Sequence, residues 1–169
     1  VLEASADDLM QVNGIGETSA TLITLAFQLT KKYLKNASDK KLKKYDGPES
    51  VKELLMSKYL GAREEMVYML SLDFDDNILA INKISHGTFS AANIDKRFVL
   101  ETAFRNKARS VVHNHVNGIP VPSRDDLNTT KAVGDFFQGV NVHLLDHLIY
   151  TDEDIFSMAQ VKKFAPLFI

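Results

Sequence analysis

The chain has 169 residues, and its 45% hydrophobic, 9% aromatic and 25% charged composition is ordinary for a soluble globular protein. It contains no cysteine, which excludes disulfides, thiolate zinc sites and cysteine nucleophiles, so any metal must be bound by His, Asp or Glu. The net charge of -2 argues against a protein that coats nucleic acid with its whole surface, but it allows a local basic patch.

Targeting signals are missing from the sequence. No uncharged run reaches the roughly 18 residues that a membrane span needs, and no signal peptide opens the chain. We therefore expect a cytoplasmic protein with no membrane partner. Because the first residue is Val1 rather than Met, we expect the chain to start inside a longer open reading frame.

The first segment, residues 1–36, is predicted to form two helices and a tight turn, because apolar residues recur at helical spacing on both sides of Gly14-Ile15-Gly16. Two glycines permit positive φ and close approach, so the turn can aim backbone N–H groups at a phosphate. Seven lysines between positions 31 and 44 favour phosphate contact, whereas Glu17 would repel it. A purely structural turn explains the pattern equally well.

Residues 37–48 are predicted to be a Lys-rich linker, because they combine polar residues, Gly47 and Pro48 with no apolar periodicity. The second domain, residues 49–169, alternates helical and strand patterns, which indicates an α/β or α+β fold. Its predicted elements are a helix over 50–59, strands over 66–72 and 78–84 joined by a turn, a helix over 95–106, a strand over 109–114, a helix over 123–137 and one or two strands over 140–150.

A His-Asn-His sequence ends the strand predicted over 109–114. Strand residues two apart project on the same face, so His113 and His115 can reach one cation. Ten residues beyond His113, Ser123-x-x-Asp126 opens a helix, and a loop of that length can bring Asp126 back as a third ligand. Three such ligands leave a fourth zinc position for a water, whose pKa falls toward about 7. The alternative for Ser123 and Asp126 is a helix N-cap with an acid at N3.

These residues match the signature His-x-His-x7-Ser-x-x-Asp of the JAMM (MPN-plus) metallopeptidases. With the two-helix segment in front and Leu145-Asp146-His147 behind, the whole chain resembles the bacterial RadC family. The resemblance implies an α/β fold: a JAMM/MPN-like (cytidine-deaminase-like) mixed sheet flanked by helices, preceded by a helix-hairpin-helix. It also implies a zinc ion. The family usually has Pro-Ser where this chain has Val116-Asn117, so the rim of the loop differs.

The resemblance also implies roles for two further residues, Glu65 and Ser123. In JAMM enzymes a glutamate before an upstream strand acts as general base, and the family pattern of Glu followed eight residues later by Asp falls on Glu65. Its neighbour Glu64 is held in reserve, and both are otherwise ordinary solvated charges before a strand. Ser123 is the family residue that steadies the oxyanion, a role compatible with capping the helix.

The leading functional prediction is zinc-dependent hydrolysis of an amide or isopeptide bond in a peptide or protein substrate. The rival is a DNA-associated repair module with little or no peptidase activity, which contacts DNA through Gly14, Ile15 and Gly16. A metal-dependent nuclease is weaker, because phosphodiester cleavage more often uses two metals. His147, beside Asp146, is predicted to be a hydrogen-bonded core residue rather than part of the site.

Overall fold

The structure is a computed structural model that describes residues 4–39, 44–87, 95–106, 108–115 and 118–168. For residues 35–39, 96, 105–106 and 108–114 it describes the backbone alone. Within these ranges, no helix has both the length and the apolar character needed to cross a membrane.

Two helices form the N-terminal segment, as predicted. Helix α1 covers Ala6–Met10 and starts with a capping box, in which Ser5 Oγ accepts the Asp8 N–H at 3.1 Å and Asp8 Oδ2 accepts the Ser5 N–H at 3.0 Å. The hydrogen bond from the Ser5 side chain holds the pKa of the Asp8 carboxyl below its usual range. Helix α2 covers Glu17–Asp39 and contacts α1 and the helix that follows it.

The predicted linker over 37–48 differs from the structure at both ends. Helix α2 continues to Asp39, three residues past its predicted end, and no Gly or Pro lies in those three residues. At the other end, Lys44 forms a β-bridge with Asn77, and the Tyr45 N–H donates to the Asp76 carbonyl at 2.7 Å. Residues 44 and 45 therefore pack on the α/β unit, while the division into two domains stays a prediction.

The α/β unit begins with a 3-10 helix over Pro48–Val51, which leads into helix α3, Lys52–Tyr59. The helix predicted over 50–59 is confirmed, but its first two residues belong to the 3-10 helix that begins at Pro48 rather than to α3. Helices α4, Lys96–Asn106, and α5, Arg124–Gln138, confirm the other two predicted helices to within a residue. A second 3-10 helix covers Ala165–Leu167.

Five strands form one mixed sheet in the order β2-β1-β3-β4-β5. The β3–β4 pair is parallel and the other pairs are antiparallel. The predicted hairpin is confirmed, and its turn is closed by Asp73 Oδ1, which accepts the N–H groups of Asp75 and Asn77. The strands are β1 Met66–Leu72, β2 Ile78–His86, β3 Ala108–Asn114, β4 His147–Tyr150 and β5 Ile155–Ser157.

The C-terminal strands differ from the prediction of one or two strands over 140–150. Residues 142–146 have no regular secondary structure, and only the last four residues of the range form β4. Asn141 adopts a positive φ of 58°, which is not a strand conformation. Strand β5 was not predicted, because three residues are too few to show a period.

Alternate side chains of β1 point to opposite faces of the sheet and belong to two different hydrophobic clusters. Val67 and Met69 pack with residues of α4 and α5, including Val99 and Phe137. Leu70 and Leu72 pack on the opposite side with residues of α3. The sheet is thus covered by helices on both faces, and the end of the sheet where β1 begins and β3 finishes carries the candidate site.

Candidate metal centre

The register of the sheet brings the predicted site residues to one edge. Strand β1 runs antiparallel to β3, with Val67 opposite His113, so the start of β1 lies beside the end of β3. His113 is also the register partner of Ile149 in β4. One step beyond β3, the His115 N–H donates to the Tyr150 carbonyl at 2.9 Å and continues the pairing. Glu65 and His115 therefore flank the same edge of the sheet.

The imidazole of His115 is oriented by a backbone carbonyl. His115 Nδ1 lies 2.7 Å from the Ile119 carbonyl oxygen, which can only accept a hydrogen bond, so Nδ1 carries a hydrogen. This contact directs the other nitrogen, Nε2, toward Asp126, whose Oδ2 lies 3.3 Å away. A histidine held in this way by its second nitrogen is the arrangement that metal-ligating imidazoles adopt.

Asp126 is held in place by the start of α5. Its Oδ2 accepts the Ser123 N–H at 2.6 Å, and Ser123 Oγ accepts the Asp126 N–H at 3.1 Å. This capping box confirms the N-cap interpretation of the two residues. Because Asp126 is only 2% exposed, a buried charge stands directly opposite His115 and requires a partner.

The electrostatics of the site favour a positive charge on His115. The hydrogen bond to Asp126 raises the pKa of His115, and the Ile119 carbonyl and the charges of Asp126 and Glu65 act in the same direction. Burial opposes this effect. A neutral His115 would instead place the Nε2 lone pair against a carboxylate oxygen, so the pair needs either a proton or a metal cation.

The geometry of the pair suits a tetrahedral metal. Two ligands at about 2.0–2.2 Å from a tetrahedral zinc ion are separated by about 3.3–3.5 Å, and the distance from His115 Nε2 to Asp126 Oδ2 is 3.3 Å. Among the side chains that the structure describes, no group of three His, Asp or Glu is arranged to hold a metal. The predicted third ligand, His113, lies outside that search, because only its backbone is described.

The two candidate bases have different surroundings. Glu65 precedes Val67 by two residues, and Val67 faces α4 and α5, the side from which Asp126 comes. The charge of Glu65 acts on His115, which places the two groups in one electrostatic environment. Glu64 instead lines a cavity of about 340 Å³ whose other lining residues are Lys31, Gly61, Ala62, Arg63, Met66, Lys83 and His86.

The predicted DNA-contact residues are not part of this centre. Gly14, Ile15 and Gly16 form the turn between α1 and α2. Gly14 has a φ of +91°, which favours glycine, and a Cβ placed on Gly14 or Gly16 would meet no atom within 4 Å. The turn is therefore open on the side where these two side chains would stand.

Two residues around the centre, Ile119 and Thr130, were missed as parts of it. The Ile119 carbonyl orients His115, but a backbone contact has no sequence signal. Thr130 lies one helical turn after Asp126 and contacts both its carbonyl and His147. His147 is buried and hydrogen-bonded, which confirms the prediction that it is a core residue. The four-residue spacing between Asp126 and Thr130 was the available signal for Thr130.

The mixed sheet with helices on both faces and the His-Asp pair at its edge fit one class of protein, a RadC-like JAB domain, whose family matches residues 45–163. A UPF0758 protein of Clostridium perfringens is 30% identical over 162 residues, which cover 95% of this chain and 70% of that protein. A UPF0758 protein of Methanosarcina mazei is 32% identical over 151 residues, covering 88% and 66%. A third, from Alkaliphilus oremlandii, is 31% identical over 164 residues, covering 95% and 69%.

This chain belongs to the RadC family, and its α/β unit is a JAB domain of the JAMM superfamily. The relatives come from both bacteria and archaea.

Proposed function

We propose that this protein is a zinc-dependent hydrolase of the JAMM type that cleaves an amide or isopeptide bond. His113, His115 and Asp126 would hold the metal. The observation that carries the proposal is the pair formed by His115 Nε2 and Asp126 Oδ2, two electron-pair donors 3.3 Å apart at the edge of the sheet. Their separation matches that of two ligands on a tetrahedral zinc ion, and the Ile119 carbonyl fixes the imidazole in the ligating orientation.

Each of the remaining site residues has one task in this reaction. A bound zinc ion would lower the pKa of a water toward about 7 and polarise the substrate carbonyl. The Glu65 carboxylate takes a proton from the attacking water and returns it to the leaving nitrogen, as a general base and then acid. Ser123 Oγ accepts one hydrogen bond from Asp126 and keeps its own hydrogen to donate to the oxyanion.

Metal analysis tests the proposed zinc site. Purified protein should contain about one zinc per chain, and His115→Ala or Asp126→Ala should empty the site. His143→Ala is the matched control, because His143 is exposed and is placed in no part of the site. Equal zinc in the wild type and both ligand variants, measured by elemental analysis, would contradict the assignment.

Substitutions of the two adjacent glutamates test the proposed general base. Glu65→Gln should retain zinc and lose hydrolysis in a peptide and isopeptide screen by on the order of 10²-fold or more, since a general base contributes about that much. Glu64→Gln is the control and should be mild, because Glu64 lines a cavity with Arg63 and Lys83 whose lining includes neither His115 nor Asp126. The reverse ranking would transfer the role of base to Glu64.

A second candidate function, DNA contact through the N-terminal segment, is favoured by the turn between α1 and α2. Gly16 precedes α2 and has no side chain to cap it, and the positive φ of Gly14 opens the turn. Because residue 16 offers no side-chain cap, the first N–H groups of α2 and its dipole would suit a backbone phosphate. Lys31 and Lys32 lie farther along the same helix.

Salt-dependent binding to labelled duplex DNA tests this second function. Binding should be indifferent to sequence, with a log–log slope of roughly -0.9 per phosphate contacted. The full chain with Gly14→Val and Gly16→Val should bind more weakly, and Glu17→Gln should bind more tightly, because it removes a charge at the helix start. Glu153→Gln, an exposed change far along the chain, is the control. If all four proteins bind alike, or none binds at low salt, the hairpin is only a structural turn.

A further inference from the structure

A buried chain of hydrogen bonds connects the sheet to the helix that carries Asp126. Thr130 Oγ1 donates to the Asp126 carbonyl at 2.6 Å, which uses the only hydrogen of the hydroxyl. The same oxygen lies 2.5 Å from His147 Nδ1, so it must accept a hydrogen from that nitrogen. The chain therefore runs from the His147 N–H, through the Thr130 hydroxyl, to the backbone of Asp126.

The contact between Thr130 and the Asp126 carbonyl would not by itself indicate a functional role. Thr24, Thr30 and Thr102 make the same four-residue bond within their own helices. Thr130 differs because its oxygen is shared with a histidine of another element. His147 is the first residue of β4, where it pairs with Val111 of the central strand β3. The chain thus fastens the first turn of α5 to the middle of the sheet.

Both side chains of this hydrogen-bond chain are buried. Thr130 is 2% exposed and His147 is 1% exposed, so water cannot replace either partner when the other is removed. His147 is itself held from its backbone side, where its N–H donates to Asp146 Oδ1 at 2.7 Å. The position of the Asp126 backbone is therefore set by the sheet as well as by the Ser123 cap.

We propose that Thr130 and His147 are positioning residues that hold Asp126 at the distance from His115 needed to bind a metal. This inference rests on the proposed metal-dependent function. It assigns to the two residues an effect on metal affinity, which a role in packing alone would not produce. Groups that orient metal ligands typically change metal affinity by about 10–100-fold when they are removed.

The test measures zinc affinity of the full chain by competition with a chromophoric chelator. Thr130→Val, which keeps the shape but removes the hydroxyl, should weaken zinc binding by about 10–100-fold, and Thr130→Ser should restore it. Thr129→Val is the matched control, because Thr129 is 1% exposed and adjacent on the same helix. It should leave zinc affinity within about twofold of the wild type.

A second pair of variants probes the histidine. His147→Leu removes the donor, whereas His147→Asn places an amide N–H at the same branch of the side chain as Nδ1. We expect weak zinc binding in the first and near-normal binding in the second. The visible spectrum of the cobalt-substituted protein should change in Thr130→Val and not in Thr129→Val, because it reports the geometry of the ligands.

The outcomes separate this inference from the function on which it rests. If the wild type binds no zinc, the proposed function fails. If the wild type binds zinc and Thr130→Val binds it equally well with an unchanged cobalt spectrum, the positioning role is wrong while the metal site stands. Should Thr130→Val be too unstable to purify, equal zinc affinity in His147→Leu and the wild type would refute the role on its own.

Discussion

We predict that the hydrogen bond between Tyr45 and Asp146 contributes measurably to the stability of the α/β unit. Asp146 is buried, and its Oδ2 accepts the Tyr45 hydroxyl at 3.0 Å and the Ser157 hydroxyl at 2.6 Å. Its Oδ1 accepts the N–H groups of His147 and Ala159. Tyr45→Phe removes one of the four donors and leaves the aromatic ring to pack as before.

The expected loss of unfolding free energy in Tyr45→Phe depends on the charge of the Asp146 acceptor and on the exposure of the Tyr45 hydroxyl. A hydrogen bond to a charged group contributes about 1.5–3 kcal/mol, and Tyr45 is only partly buried, so we expect about 1.5 kcal/mol. With a urea m value near 2 kcal/mol/M, the unfolding midpoint should fall by about 0.7 M. Tyr33→Phe is the control: Tyr33 is 73% exposed, and the change should stay within about 0.5 kcal/mol.

The pH dependence of the same variant gives a second, independent check. Burial raises the pKa of Tyr45, and the charge of Asp146 raises it further. Above pH 10 the unfolded wild type therefore loses the Tyr45 proton before the folded protein does, which stabilises the unfolded state. The phenylalanine variant has no such proton, so the difference in stability between the two proteins should shrink as the pH rises above 10.

Urea titrations at pH 8 and above pH 10, followed by circular dichroism, measure both effects. A midpoint equal to that of the wild type at pH 8 would show that the bond between Tyr45 and Asp146 contributes nothing. A difference that stays constant above pH 10 would refute the argument from the raised pKa. The Tyr33 control should show neither change.

Three other perturbations have outcomes that differ in size. Ser123→Ala should cost about 1 kcal/mol in urea unfolding and Ser123→Gly only a few tenths, because glycine is tolerated at an N-cap; equal losses would contradict a capping role. Asp146→Ala leaves four donors without their acceptor at about 1–3 kcal/mol each, so cooperative thermal unfolding should be lost. Gly14→Ala should cost on the order of 1 kcal/mol, because Gly14 has a φ of +91°; no change would show that the turn relaxes.

The sequence predicted the fold best where one element carries several independent signals. The hairpin of β1 and β2 combines two apolar runs with a turn rich in Asp and Asn, and both strands and the turn are found, with β2 two residues longer than predicted. Helix α5 combines an apolar period with the Ser123 and Asp126 cap, and it starts at the residue after Ser123. Such elements can be predicted because all their information is local.

The sequence failed where the stabilising contacts are distant in the chain. Strand β5 has only three residues and is held by pairing with β4. The hydrogen bonds that join Tyr45 to Asp146 span 101 positions, and those that join Thr130 to His147 span 17. Neither pair has a periodic pattern, so only the tertiary structure brings these side chains together.

The choice between Glu64 and Glu65 depends on the register of β1 and remains a prediction. The two side chains are identical and adjacent, and only the resemblance to the family favoured Glu65. In the structure the Glu65 carbonyl accepts the Gly87 N–H at 2.8 Å, which extends the pairing of β1 and β2 by one residue. Side chains two apart in a paired strand point to the same face, so we expect the Glu65 side chain to share the face of Val67. Val67 packs with α4 and α5, and this expectation favours Glu65 as the base. A shift of one residue in the register of β1 would exchange the two glutamates, so comparing Glu65→Gln with Glu64→Gln also tests the register itself.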